Sequence, residues 1–302
     1  MKKILLIGGN GFIGSNLCKT LSIYEYEIYS FDLHIPESKR EGVTYIEGDF
    51  FNSNLLREIV RGMDLVVHLL STINPGNSNI KYMEGYQKDF IQSIRLCEAI
   101  IEEQSKLLFI SSGGTVYGDK GFETVEEGCL PEPMNHYGNL KLCIENTMLT
   151  FARQRNLNVI IARVSNVYGP GQDYTKGVGF IDAAIKKAMS NQTLEIWGDG
   201  SIIRDYIYID DVCKILERLL FYHGENKVFN VCSSEKTSQN DIIKIIREMG
   251  EEVAVIYKDM RGVDAKSVFL NNNKLRFIYR DEMISIREGI KKYYLWLQEK
   301  NW

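Results

Sequence analysis

Lys3-Ile4-Leu5-Leu6-Ile7 runs without a break into Gly8-Gly9-Asn10-Gly11-Phe12-Ile13-Gly14, and the reading of that join decides the fold. Five strand-forming residues meet a glycine-rich turn, and helix-forming residues follow at once. Glycines suit such a place because the turn is tight and the backbone must come close to a bound pyrophosphate. The first amides of the following helix then face the anion. An ordinary strand–turn–helix connection is the plain competitor. The second strand weakens it: Tyr29-Ser30-Phe31-Asp32 ends in an acid about 20 residues further on, where a carboxylate accepts both ribose hydroxyls of NAD and repels the 2′-phosphate of NADP. Gly8, Gly11, Phe12, Ile13, Gly14 and Asp32 are therefore the expected contacts of an NAD cofactor. Lys39 and Arg40 follow closely enough to serve a phosphate instead.

Outward from this join, short β-branched runs alternate with longer helical stretches. Strands are expected at 3–7, 27–31, 43–46, 65–68, 107–111 and 158–163, and helices near 12–21, 54–61, 80–103 and 137–155. Such alternation implies right-handed βαβ units and a parallel sheet covered on both faces. The expected fold class is α/β, a Rossmann doubly wound parallel sheet with a smaller interleaved α+β substrate domain. Past Tyr168 the pattern loosens into a Gly-rich loop, helices near 180–189 and 210–222, a strand near 228–231 and a last helix at 284–299. Residues 1–165 plus about 204–232 are assigned to the dinucleotide domain, and about 166–203 plus 233–302 to the substrate domain.

Composition narrows the function. Apolar and charged fractions are those of a globular chain, and a net charge of −4 gives no reason to expect nucleic acid or a membrane surface as partner. The apolar run at the start stops at Gly8, short of the roughly seven to fifteen residues of a signal-peptide core. Six dispersed cysteines with no CxxC pair read as reduced thiols, so a cytoplasmic protein is expected. The four histidines show no ligand spacing, and no metal is expected.

Tyr137-Gly138-Asn139-Leu140-Lys141 places a phenol and an ammonium four residues apart, on one helix face. A nearby cation favours the phenolate and makes the tyrosine a usable base, while the same lysine is free to hold the nicotinamide ribose. The pair follows the fifth strand by one loop, which brings it to the carboxyl edge of the sheet.

Taken in order, these motifs resemble the extended short-chain dehydrogenase/reductases, and within them the nucleotide-sugar epimerase/dehydratase group, especially members like UDP-glucose 4-epimerase. The likeness includes Gly48-Asp49-Phe50, Ser111-Ser112-Gly113-Gly114-Thr115-Val116-Tyr117-Gly118 and Arg163-Val164-Ser165-Asn166-Val167-Tyr168-Gly169-Pro170-Gly171. It continues through Ile196-Trp197-Gly198-Asp199-Gly200, Arg204-Asp205-Tyr206 and Arg261-Gly262-Val263-Asp264. The resemblance implies that Asp49 and Phe50 border the adenine and that Tyr137 and Lys141 are catalytic. It implies that Asn166 contacts a nucleotide-diphosphate sugar, Arg204 and Arg261 clamp its diphosphate, Asp264 meets its ribose and Trp197 lies near its base. Forked guanidinium donors suit a diphosphate, and a flat apolar ring suits a base. A homodimer formed through the helices near 80–103 and 137–155 is likewise implied.

Two departures from the family pattern stand out. Its catalytic Ser or Thr position is Gly113 here, leaving Ser112 or Thr115 to supply a hydroxyl beside Tyr137. The exit of the fourth strand, Leu69-Leu70-Ser71-Thr72, lacks the small residues usual on the substrate side. Related dehydratases carry Asp-Glu, and related decarboxylases a Glu, where this chain has Gly114-Thr115, so neither reaction is expected. A 4-epimerase of the UDP-glucose/UDP-galactose type is the expected activity. The alternatives are an NAD(P)H-dependent reductase of a nucleotide 4-keto-6-deoxysugar and a catalytically silent dinucleotide-binding regulator.

Overall fold

The computed structural model describes residues 1–121, 123–259 and 267–300. Seven strands form its main sheet in the order Val43–Glu47, Tyr26–Asp32, Lys2–Ile7, Leu65–His68, Lys106–Ser112, Asn158–Val164 and Val228–Val231. Every pairing within it is parallel. The chain winds outward from Lys2–Ile7 in one direction and then, from Leu65–His68, in the other. The expected α/β doubly wound fold is what the sequence forms, and its crevice lies at that reversal, outside the carboxyl ends of the strands.

The unbroken apolar first strand follows from burial on both faces. Ile4 and Leu6 point into one core with Leu17, Leu21 and Leu216. Leu5 and Ile7 point into the other with Leu96, Ile100 and Leu140. Helices Phe12–Leu21 and Ile209–Leu220 pack together on the first face, and Ser53–Val60, Ile91–Glu103 and His136–Arg155 on the second.

Two elements depart from the reading of the sequence. The long helix expected near 80–103 is Ser78–Glu84, a π-helical turn Gly85–Phe90, and Ile91–Glu103. Gly85 sits where a Cβ would come within 2.6 Å of Ile73 and 2.9 Å of Leu140, so the widened turn lies hard against its neighbours. Ile203–Tyr208 is a strand that the sequence concealed, because Arg204 and Asp205 interrupt its apolar run. It pairs with Lys236–Ser238, Ser267–Leu270 and Asn166–Tyr168 in a smaller sheet beside the crevice. Leu194–Trp197 and Val255–Lys258 make a further parallel pair. Among the described residues, no helix is long and apolar enough to cross a membrane.

Candidate active site

The glycine turn has the shape its residues require. Gly8 takes φ +81°, in the left-handed region that glycine occupies without strain. A Cβ on Gly14 would stand 2.5 Å from the Gly8 carbonyl oxygen, so helix and turn touch backbone to backbone. Helix Phe12–Leu21 starts at Gly11 with no side chain capping it, which leaves its first amides open to an anion. Asp32 closes the second strand and accepts hydrogen bonds from the Asn10 amide at 3.0 Å and the Leu33 amide at 2.8 Å. Lys39 and Arg40 line an open groove with Gly9 and Asn10 on this side of the turn. The Phe50 ring is buried in the core, 5.2 Å from the His68 ring, so only its backbone is available to an adenine. Asp49 is exposed and accepts the Phe51 amide at 2.9 Å.

From the glycine turn a cleft of about 430 Å³ runs along the carboxyl edge of the sheet. Phe12 and Ile13 line one end, and Ser112, Thr115, Tyr137 and Lys141 line its middle. Asn166, Trp197 and Arg204 line the far wall. The sequence-derived residues thus converge from seven separate elements on one cavity. Trp197 is 36% exposed and belongs to the cleft rather than to a core. The Asn166 amide donates to the Asp205 carbonyl at 2.8 Å, and the Arg204 guanidinium to the Ile203 carbonyl at 2.8 Å. Arg261 and Asp264 lie outside the described residues.

Helix His136–Arg155 is capped by Asn135, whose side chain accepts the Gly138 amide at 2.9 Å. A Cβ on Gly138 would meet the Thr115 carbonyl oxygen at 2.5 Å, so this glycine lets the Tyr137 turn approach the Thr115 backbone. The Thr115 hydroxyl is buried with no hydrogen-bond partner among the described residues. Gly113 faces away from chemistry: a Cβ there would come within 2.9 Å of the Arg163 carbonyl oxygen and 2.5 Å of Leu270.

One electrostatic expectation fails. Lys141 should lower the proton affinity of Tyr137, but burial, reinforced by the charge of Asp89, pushes the phenol up to about 12. Lys141 lies over the ring face, 5.7 Å from its centroid, and donates to the Ile110 carbonyl at 3.0 Å. Burial also pulls Lys141 down to about 8, against the opposing pull of Asp89 and Glu145. Desolvation of the charged forms outweighs the attraction between them.

Sequence reading missed the frame behind the pair. The Arg163 guanidinium grips Glu145 through Nε at 3.0 Å and Nη2 at 2.7 Å, and donates to the Tyr117 hydroxyl at 2.8 Å. Ser111 also donates to Glu145, and the Tyr117 hydroxyl donates to Asn230 at 2.7 Å. Glu145 is one helical turn past Lys141, among Leu140, Ile144 and Met148; an acid on that apolar face was the available signal. A buried ion pair of this kind loses about 3–5 kcal/mol when one partner is removed, so it fixes strand Asn158–Val164 against helix His136–Arg155.

A parallel doubly wound sheet with an open glycine turn and a Tyr–Lys pair at its carboxyl edge defines a dinucleotide-dependent enzyme of the short-chain dehydrogenase/reductase type. Residues 4–232 match the model of the NAD dependent epimerase/dehydratase family, and the chain belongs to that family. It is 28% identical over 305 residues to a putative UDP-glucose 4-epimerase of Methanocaldococcus jannaschii, with 99% of each chain covered. Its fold superposes on the UDP-glucose 4-epimerase of Thermotoga maritima, solved with UDP-glucose, at a TM-score of 0.92 and 27% identity, covering 99% of this chain and 100% of that one. The UDP-glucuronic acid 4-epimerase of Bacillus cereus, solved with UDP-glucuronic acid and NAD, matches at a TM-score of 0.89 and 25% identity, with 99% of each chain covered.

Proposed function

We propose that this enzyme is an NAD-dependent 4-epimerase of nucleotide-diphosphate sugars, of the UDP-glucose/UDP-galactose type. The observation that carries the reading is the single cleft shared by the helix start at Phe12 and Ile13, the Tyr137–Lys141 pair and the unpartnered Thr115 hydroxyl. The similarity to 4-epimerases solved with UDP-sugars supports it.

The residues present fit a dinucleotide. The uncapped helix start and the backbone contact at Gly14 make a cradle for a pyrophosphate held by Gly8, Gly11, Phe12, Ile13 and Gly14. Asp32 would take the adenosine ribose, Asp49 and the Phe50 backbone the adenine, and Lys141 the nicotinamide ribose. NAD, when bound, supplies the hydride acceptor and donor that convert C4 of the sugar to a ketone and back.

The chain's own groups manage the proton and the orientation. Tyr137 removes the proton from the C4 hydroxyl and returns it after the keto sugar has turned over. Thr115 bridges that oxygen to the phenol, because its hydroxyl is buried at the cleft without a partner; Ser112 is the alternative bridge. Asn166 holds the sugar, Arg204 the diphosphate and Trp197 the base, with Arg261 and Asp264 completing the nucleotide site. No carboxylate stands at Gly114 or Thr115 to carry out an elimination. The enzyme works as a homodimer that covers exposed Ile80 and Met83 on helix Ser78–Glu84, and light scattering that gives only the monomer mass contradicts this.

The test is incubation with UDP-, dTDP- and GDP-hexoses, with and without NADH, and chromatography of the products. The 4-epimer of a UDP-hexose forming without added reductant is the expected result. Stoichiometric consumption of NADH by a keto sugar, with no epimer formed, assigns a reductase instead.

A further inference from the structure

Asp89 is a buried carboxylate to which the mechanism above gives no role. It is 2% exposed and belongs to the π-helical turn Gly85–Phe90, a form that occurs mostly as single turns at functional sites. Its carboxylate accepts three hydrogen bonds, all from one short segment: the Ser71 hydroxyl at 2.8 Å, the Thr72 amide at 2.8 Å and the Thr72 hydroxyl at 2.7 Å. That segment continues strand Leu65–His68 and lends Leu69, Asn74 and Pro75 to the cleft. The same π-turn packs Gly85 against Leu140, the neighbour of Lys141. The charge of Asp89 acts on both members of the catalytic pair, favouring the protonated phenol of Tyr137 and the protonated amine of Lys141.

The other ionisable groups around Tyr137 do not duplicate that charge. Lys141 lies over its ring, and Glu145 on the same helix is neutralised by Arg163. His136, next in sequence, stacks on Tyr82 and hydrogen-bonds the Tyr86 hydroxyl. His68, on the strand below, is held neutral by burial down to about pH 3.

The geometry points to Asp89 as a positioning residue for this reaction, tying Ser71 and Thr72, which lie between the cleft residues Leu69 and Asn74, to the π-turn while setting a negative charge beside the Tyr137–Lys141 pair. The two roles are separable, since the tie runs through hydroxyls and an amide whereas the charge acts through space. This inference rests on Tyr137 being the base.

The experiment compares Asp89→Asn, which removes the charge, with the double variant Ser71→Ala/Thr72→Val, which removes two of the three bonds and keeps the charge. Tyr137 is followed by tyrosinate absorbance after a rapid pH jump in NAD-saturated protein, with Tyr137→Phe as the blank, and kcat/KM is profiled against pH. Asp89→Asn should lower the phenol midpoint by about one pH unit and move the acid limb with it. The double variant should raise KM for the sugar nucleotide and leave both midpoints in place, and Asp89→Glu should restore the wild-type midpoint. Asp89→Ser, also neutral, carries the same comparison if Asp89→Asn does not fold. An unmoved midpoint in the neutral variant, or an equal shift in the double variant, overturns the inference. The absorbance arm needs no turnover, so its failure leaves the epimerase assignment standing. Wild-type turnover by Tyr137→Phe removes Tyr137 as the base instead.

Discussion

Gly113 stands so close to Arg163 that a methyl group on it would come within 2.9 Å of the arginine's carbonyl oxygen, with Leu270 closing the other side at 2.5 Å. The position where relatives place a catalytic hydroxyl is a packing contact in this chain. Gly113→Ser should therefore lose stability by about 1–3 kcal/mol, as overpacked sites do, with no gain in kcat. Urea unfolding and initial rates check this together. A stable, faster Gly113→Ser enzyme would return the family's hydroxyl to its usual place.

If Thr115 supplies that hydroxyl, Thr115→Val should lower kcat by about 10²-fold or more, within the range of lost proton-transfer assistance. Ser112→Ala should change it little. The reverse ranking, measured at saturating sugar nucleotide, makes Ser112 the bridge.

Each Asp32 carboxylate oxygen accepts one backbone amide, Oδ2 from Asn10 and Oδ1 from Leu33. Asp32→Ala should lower the preference for NAD over NADP, since Lys39 and Arg40 stand in the adjoining groove to accept a 2′-phosphate. Calorimetric titration with both dinucleotides reads the ratio, and an unchanged ratio places the discriminating contact elsewhere.

His68 is 1% exposed between Phe50 and Phe109, and burial holds it down to about 3 from an ordinary value of 6.5. The sign follows from proton uptake. Above 6.5 neither folded nor unfolded chain binds the proton and no stability is lost. As pH falls from 6.5 toward 3, only the unfolded chain binds it, and stability drops by about 1.4 kcal/mol per unit. His68→Phe should flatten the fall of Tm between pH 6.5 and 4. Parallel curves for wild type and variant exclude His68 as the source of acid sensitivity.

Much of this was legible in the sequence because it depends on local pattern. Helix Phe12–Leu21 and strand Leu65–His68 have the bounds their apolar runs imply, and the turn between Ile7 and Phe12 required glycine on steric grounds alone. What stayed hidden depends on groups distant in sequence. Asp89 reaches Ser71 and Thr72 only because a π-turn redirects a helix that the 3.6-residue period reads as regular. Strand Ile203–Tyr208 is polar where it crosses the cleft, so its alternation was masked at Arg204 and Asp205. The sign of the shift at Tyr137 was misread for a related reason. The four-residue spacing shows Lys141 nearby but not the burial of both groups, nor the second charge at Asp89.

The central claim is that the Tyr137 phenol moves the proton at C4 of a nucleotide sugar, beside a dinucleotide that it does not help to hold. Turnover of a UDP-hexose by Tyr137→Phe, measured alongside calorimetric NAD affinity, tests it directly. The account predicts that epimer formation falls by at least about 10²-fold while NAD affinity stays close to that of the wild type. Epimer formation at the wild-type rate in Tyr137→Phe contradicts it.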